Sequence, residues 1–132
     1  MRRAIRHCLV PAALLAATPS LALDLNSFRA QHGKPPLSMS SALSAAAHEH
    51  ARALAARKRL DHKGFRARLG AVSSTAAENV AYGCETEDCV IRQWAKSGGH
   101  RRNMLMGGVS RYGIASAKAD NGRMYWVLEL GN

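Results

Sequence analysis

Aromatic residues make up only 5% of this 132-residue chain, and no apolar run reaches the roughly 20 residues that a bilayer-spanning helix needs. Without aromatics interleaved among basic residues there is no stacking platform for single-stranded bases, so a specific nucleic-acid partner is not expected. Acids are scarce as well: nine Asp and Glu face 19 Lys and Arg, a formal net charge of +10. Such an excess concentrates anionic partners near the surface without selecting one, and a solvated basic surface is the preferred explanation. Internal repeats, linkers and low-complexity segments are also missing, and the length fits one domain. The zinc-protease pattern HExxH is absent too. The string His48-Glu49-His50 puts its histidines two apart, about 200° around a helix, where they cannot grip one ion.

What is present begins with a leader. Residues 1–22 combine Arg2, Arg3 and Arg6 with an apolar stretch from Leu9 to Ala17 and the small residues Ser20 and Ala22 around Leu21, the pattern of a secretory signal cleaved after Ala22. Pro11 and Pro19 interrupt the apolar stretch, so no transmembrane segment is expected after processing; an uncleaved anchor is the alternative. Cys8 follows Arg6 and His7, an unsuitable setting for a lipid anchor. Three of the basic residues and none of the acids lie in residues 1–22, so a domain of residues 23–132 would carry +7. Two cysteines remain in it, Cys84 and Cys89. An even count in an oxidising compartment suggests a disulfide; ligation of a metal and two free buried thiols are the alternatives.

Periodicity places a short helix over Asp24 to His32, ended by Gly33, and a longer one capped by Ser40 or Ser41. The second carries Leu43, Ala46, Ala47, His50, Ala51 and Leu54 on one face, which makes His50 core-facing and His48 superficial. Asp61 to Gly70 reads as a loop leading into one helical turn with Phe65 and Leu69 together, followed by a polar, small-residue stretch from Val72 to Ala77. Glu78 to Gly83 is too short and mixed to assign. Thr86 caps a helix running through Val90, Ile91 and Trp94 and stopping at Gly98-Gly99, which puts His100 just beyond a helix end. Arg111 to Ala119 and Arg123 to Leu130 read as strands joined by the hairpin signal Asp120-Asn121-Gly122. Helices first and strands last predict an α+β layered sandwich.

His62, Glu78 and His100 each sit near an element boundary, and two histidines with one carboxylate form a set used in open zinc sites. Each alone could equally cap or brace backbone. The strings around them resemble the CAP superfamily (cysteine-rich secretory proteins, antigen 5, pathogenesis-related 1) in its bacterial SCP-like form. Asn26-x-x-Arg29-Ala30, Pro36-Leu37, Leu43 and His50-Ala51 are similar to its first two helices, and Asp61-His62 with Phe65-x-x-Arg68-Leu69 to its first histidine segment. Glu78-Asn79-Val80-Ala81 resembles its ENxA signature. Trp94-x-x-Ser97-Gly98-Gly99-His100-Arg101-x-Asn103 resembles the signature around its second histidine, and Tyr112-Gly113-Ile114-Ala115 and Tyr125-Trp126-Val127 its final strands. The resemblance extends over residues 24 to 131.

That resemblance implies a three-layer α-β-α sandwich with a central cleft, where family members gather two histidines and two acids. Carried over, these are His62, Glu78 and His100, with Ser97 where the fourth residue is often glutamate. With one carboxylate fewer, a divalent cation such as zinc would rest mainly on His62 and His100 and leave as they protonate. Gly98, where many bacterial relatives carry proline, and the short His62-to-Glu78 connection are further departures. The leading expectation is a secreted or periplasmic monomer whose cleft (His62, Glu78, Ser97, His100) binds a divalent ion, a small ligand or a lipid without chemistry. A hydrolase using Ser97, His100 and Glu78, or a metal-bound water, is the alternative. Docking of the basic surface on an anionic envelope polymer is a third reading.

Overall fold

The computed structural model describes residues 21–70 and 73–132; residues 1–20, which hold most of the expected leader, and residues 71 and 72, where the expected polar stretch begins, lie outside the described residues. Its elements are α1 (Leu25–Gln31), β1 (Ser38–Met39), α2 (Ser41–Arg57), α3 (Phe65–Leu69), β2 (Ala76–Tyr82), α4 (Glu87–Ala95), α5 (Gly98–Met104), β3 (Arg111–Lys118) and β4 (Met124–Gly131). The four strands form one mixed sheet in the order β1-β3-β4-β2, with β1 parallel to β3 and the other pairs antiparallel.

Helix α2 lies across one face of the sheet. Ser40 starts it, its hydroxyl accepting from Leu43 N at 3.3 Å, and Lys58 closes it in the left-handed conformation. The alanines Ala47, Ala51 and Ala55, with Leu54, pack on Val80, Tyr125 and Val127. They can come so close because β3 carries Gly113 opposite: a Cβ there would sit 2.2 Å from Ser44 N and 2.3 Å from the Leu43 carbonyl carbon. On the other face α1, α4 and α5 contribute Leu25, Phe28, Val90, Ile91, Trp94 and Met104 to a cluster with Ala77, Ala81, Trp126, Leu128 and Leu130. Burying each of the larger side chains contributes about 1.5–3 kcal/mol. Strand β4 serves both clusters by simple alternation: Tyr125 and Val127 look to α2, Trp126, Leu128 and Leu130 to the opposite layer. The result is the expected α+β, three-layer sandwich.

Most boundaries fall within a residue of expectation. Asp24 caps α1 through Ser27 N, Thr86 caps α4 through Cys89 N, and Gly122 turns the β3–β4 hairpin at φ 83°. Cys84 and Cys89 are joined in a disulfide between β2 and α4. One expectation is corrected: the helix through Trp94 ends at Ala95, and Gly98-Gly99 do not stop it but open a new helix. Ser97 takes an extended conformation (φ −110°, ψ 121°) and Arg101 N bonds to its carbonyl at 2.8 Å, so His100 lies inside α5.

Arg29 anchors α1 across the molecule. It is 2% exposed, and its guanidinium donates to the carbonyls of Pro35 at 2.9 Å, Met104 at 2.9 Å and Met106 at 3.1 Å. The end of α5 is therefore tied to the first helix.

Candidate functional site

Strand β2 is a sheet edge, and the site is built around it. Its outward carbonyls are covered by side chains: Trp94 Nε1 donates to Val80 O at 3.2 Å and Asn103 Nδ2 approaches Glu78 O at 3.4 Å. Asn79, fully buried, donates to His100 O at 3.0 Å and accepts from Asn103 Nδ2 at 2.9 Å. Thus β2 holds α5 in place and sets His100 beside the edge.

On the α2 face of the same strand Glu78 is buried in a dense polar cluster. His62 Nδ1 lies 2.7 Å from Glu78 Oε1, and Arg68 of α3 is bonded to Oε2. His50 Nε2 donates to Asp61 O at 2.8 Å and stands 3.5 Å from Oε1. Directly across the ladder from Glu78 is Glu129, fully buried, with Arg68 Nε at 3.5 Å and neither carboxyl oxygen in hydrogen-bonding geometry. Two adjacent carboxyls share one guanidinium, so only one can carry charge cheaply. Burial, then the neighbouring Glu78 carboxylate, push Glu129 up to about 10. Burial also favours the neutral form of Glu78, but the protonated Glu129 beside it, then Arg68 and His62, outweigh this and hold it below the usual carboxylate range. Glu78 is thereby an ionised acceptor. It accepts from His62 Nδ1 and fixes the orientation of that ring.

Around the strand edge lies a cleft of about 340 Å³ lined by Leu60, Val80, Ala81, Tyr82, Gln93, Trp94, Ser97 and His100. Leu60 (36% exposed) and Tyr82 (45%) are among the few large apolar side chains left open to solvent, and both line it. Arg123 sits over the Tyr82 ring at 4.6 Å, and the His100 ring packs 6.4 Å from that of Trp94. Burial, and secondarily the charge of His62, lower the proton affinity of His100. Two wider grooves, beside Phe28 and Arg101 and along the outer side of α2, do not touch Glu78, His62 or His100.

The predicted residues thus fall in two adjoining places: Glu78 and His62 in the carboxyl cluster, Ser97 and His100 in the cleft. Glu78 orients His62 rather than His100, and among the described residues no hydrogen bond joins Ser97 to His100. No group of three or more His, Cys, Asp or Glu side chains is gathered as a metal cage among the described residues. Arg68 and Glu129 were missed as site residues. The signal was there in Glu129, one acid inside the apolar run of β4, a residue that burial obliges to be paired or neutral.

A three-layer sandwich whose sheet-edge strand lies between a buried Glu78–His62–Arg68 cluster and a cleft bearing His100 defines an SCP-type domain. The chain belongs to the cysteine-rich secretory protein (CAP) family, whose family model matches residues 24–130. Among solved structures it is similar to an outer surface protein from Borrelia burgdorferi (19% identity, TM-score 0.73, covering 82% of this chain and 86% of that one). It is also similar to an extracellular protein containing an SCP domain from Bacillus anthracis (21% identity, TM-score 0.69, 82% of this chain and 37% of that one). A third likeness is to a cysteine-rich secretory protein from Staphylococcus aureus (25% identity, TM-score 0.63, 80% of this chain and 35% of that one). The chain spans a little over a third of the length of the last two. No curated protein matches it.

Proposed function

We propose that this protein is an exported, monomeric binding module whose β2-edge cleft takes a small amphipathic ligand of the cell envelope. One observation carries the reading: the solvent-open apolar side chains of Leu60 and Tyr82 line one concave surface together with Gln93, Ser97 and His100. Sites for small molecules combine an apolar lining with a few convergent polar groups in this way. Export agrees with the cationic N-terminal stretch, the Cys84–Cys89 disulfide, and the names of two structurally similar proteins, one an outer surface protein and one extracellular. No helix among the described residues is long and apolar enough to cross a membrane.

The experiment is a fluorescence titration of the processed protein with anilinonaphthalene sulfonate, an amphipathic probe. Saturable binding that weakens about fivefold or more in Tyr82→Ala, which removes much of the exposed apolar wall, is the expected result. Equal binding by both proteins would remove the cleft from consideration.

The second reading, a divalent cation, is favoured by the His62–Glu78 bond, since metal-ligating histidines are braced on their other nitrogen by a carboxylate. A lowered proton affinity also keeps His100 neutral and able to donate its lone pair. Glu78 itself is unsuited to ligation because Arg68 and His62 occupy its oxygens, so His62 and His100 would hold the ion, with zinc favoured by the donor type. Zinc titrated calorimetrically into the parent and into His62→Ala/His100→Ala separates the readings: equal heats would exclude the cation.

A further inference from the structure

Among the described residues, Leu23 is the first whose side chain is built into the fold. It is 8% exposed within the cluster of Leu25, Phe28 and Val90, whereas Ala22 is exposed and Leu21 is 88% exposed. Its backbone nitrogen points at the first turn of α4 and lies 2.5 Å from Asp88 Oδ1. Asp88 is kept ionised well below its usual range, first by Arg92, which bonds both carboxylate oxygens at 3.0 Å, and then by this Leu23 contact. Asp88 thus already accepts from the backbone nitrogen that leader removal would turn into a terminal amine.

We propose that the Ala22–Leu23 bond is the maturation site and that Asp88 is the counter-ion of the α-ammonium which cleavage creates. Water, delivered by the peptidase that removes exported leaders, adds across the bond. Its hydroxyl joins the Ala22 carbonyl carbon, Leu23 nitrogen leaves with a proton as a primary amine, and at neutral pH that amine takes a second proton. The N–H···carboxylate bond of the precursor, charged on its acceptor only, becomes an ion pair on the same two atoms. Removal of the leader then strengthens the attachment of α1 to α4, and the precursor is the less stable form.

The test uses the full-length chain exported from a bacterial host. Intact mass and N-terminal sequencing of the recovered protein should give Leu23 as first residue. A precursor with one serine inserted between Ala22 and Leu23 yields a processed chain whose Leu23 nitrogen is again an amide. Its melting temperature should fall by a few degrees, as expected for a partly exposed ion pair in a domain of this size. Asp88→Asn should lower the parent's melting temperature and lower that of the insertion variant much less, because both changes remove the same pair. Should the insertion variant escape processing, selective transamination of the parent's α-amine removes the charge instead, with the same expected loss. A first residue other than Leu23, or losses that simply add, would overturn the proposal.

Discussion

Replacing Glu129 by glutamine should stabilise the protein increasingly as pH rises. Glu129 is fully buried, and its pKa stands near 10 against 4.5 for an ordinary glutamate. Because the folded value lies above the unfolded one, the stability this group contributes is complete below the unfolded pKa and is lost steadily as pH climbs toward the folded one. Between those limits the folded chain holds one proton that the unfolded chain has released. The loss is therefore about 1.4 kcal/mol per pH unit, or about 3 kcal/mol from pH 6 to pH 8. Glutamine keeps the shape and the neutrality while binding no proton, so the term vanishes in Glu129→Gln. Urea unfolding of parent and variant at pH 6, 7 and 8 reads it directly. The histidines are common to both proteins, so the difference between the two curves isolates position 129. A gap that widens by about one proton's worth per pH unit is expected; a gap independent of pH would refute the picture of a protonated Glu129 beside an ionised Glu78.

Other substitutions test the frame that holds the site. Arg29→Ala removes the donor from the carbonyls of Pro35, Met104 and Met106 and leaves a cavity, so thermal denaturation should show a loss of about 3 kcal/mol or more. Gly113→Ala places a methyl group against the backbone of Leu43 and Ser44, and should cost about 3 kcal/mol or prevent α2 from docking, measurable by the same method. Cys84→Ser/Cys89→Ser opens a loop with a sequence separation of only 5, so the loss in chemical denaturation should stay near the low end, about 2 kcal/mol.

Local chemistry makes the helices legible in the sequence. Ser40 and Thr86 cap the helices for which the sequence offers them, Asp24, read as the first residue of α1, proves to be its cap, and His50 faces inward as its place on α2 requires. The hairpin at Asp120-Asn121-Gly122 was equally readable, because Gly122 is needed at positive φ. Strand β2 was not. It is buried on both faces from Ala77 to Ala81, so the alternation that marks a half-exposed strand is missing. The two-residue β1 is held only by its pairing with β3, a contact distant in sequence. His62, Glu78, Ser97 and His100 were found as residues, but their grouping depends on long-range geometry. Glu78 meets Arg68 and Glu129 because α3 and β4 pack beside β2, and nothing local to Glu78 says so.

The central claim is that ligand binds at the β2 edge. The most direct measurement is a map of backbone amide chemical shifts in the processed, ¹⁵N-labelled protein as anilinonaphthalene sulfonate is added. The account predicts that the largest changes cluster at Leu60, Val80, Ala81, Tyr82, Gln93, Trp94, Ser97 and His100, the residues that line the cleft. Changes confined to the outer side of α2, around His48, Arg52 and Ala53, would contradict it.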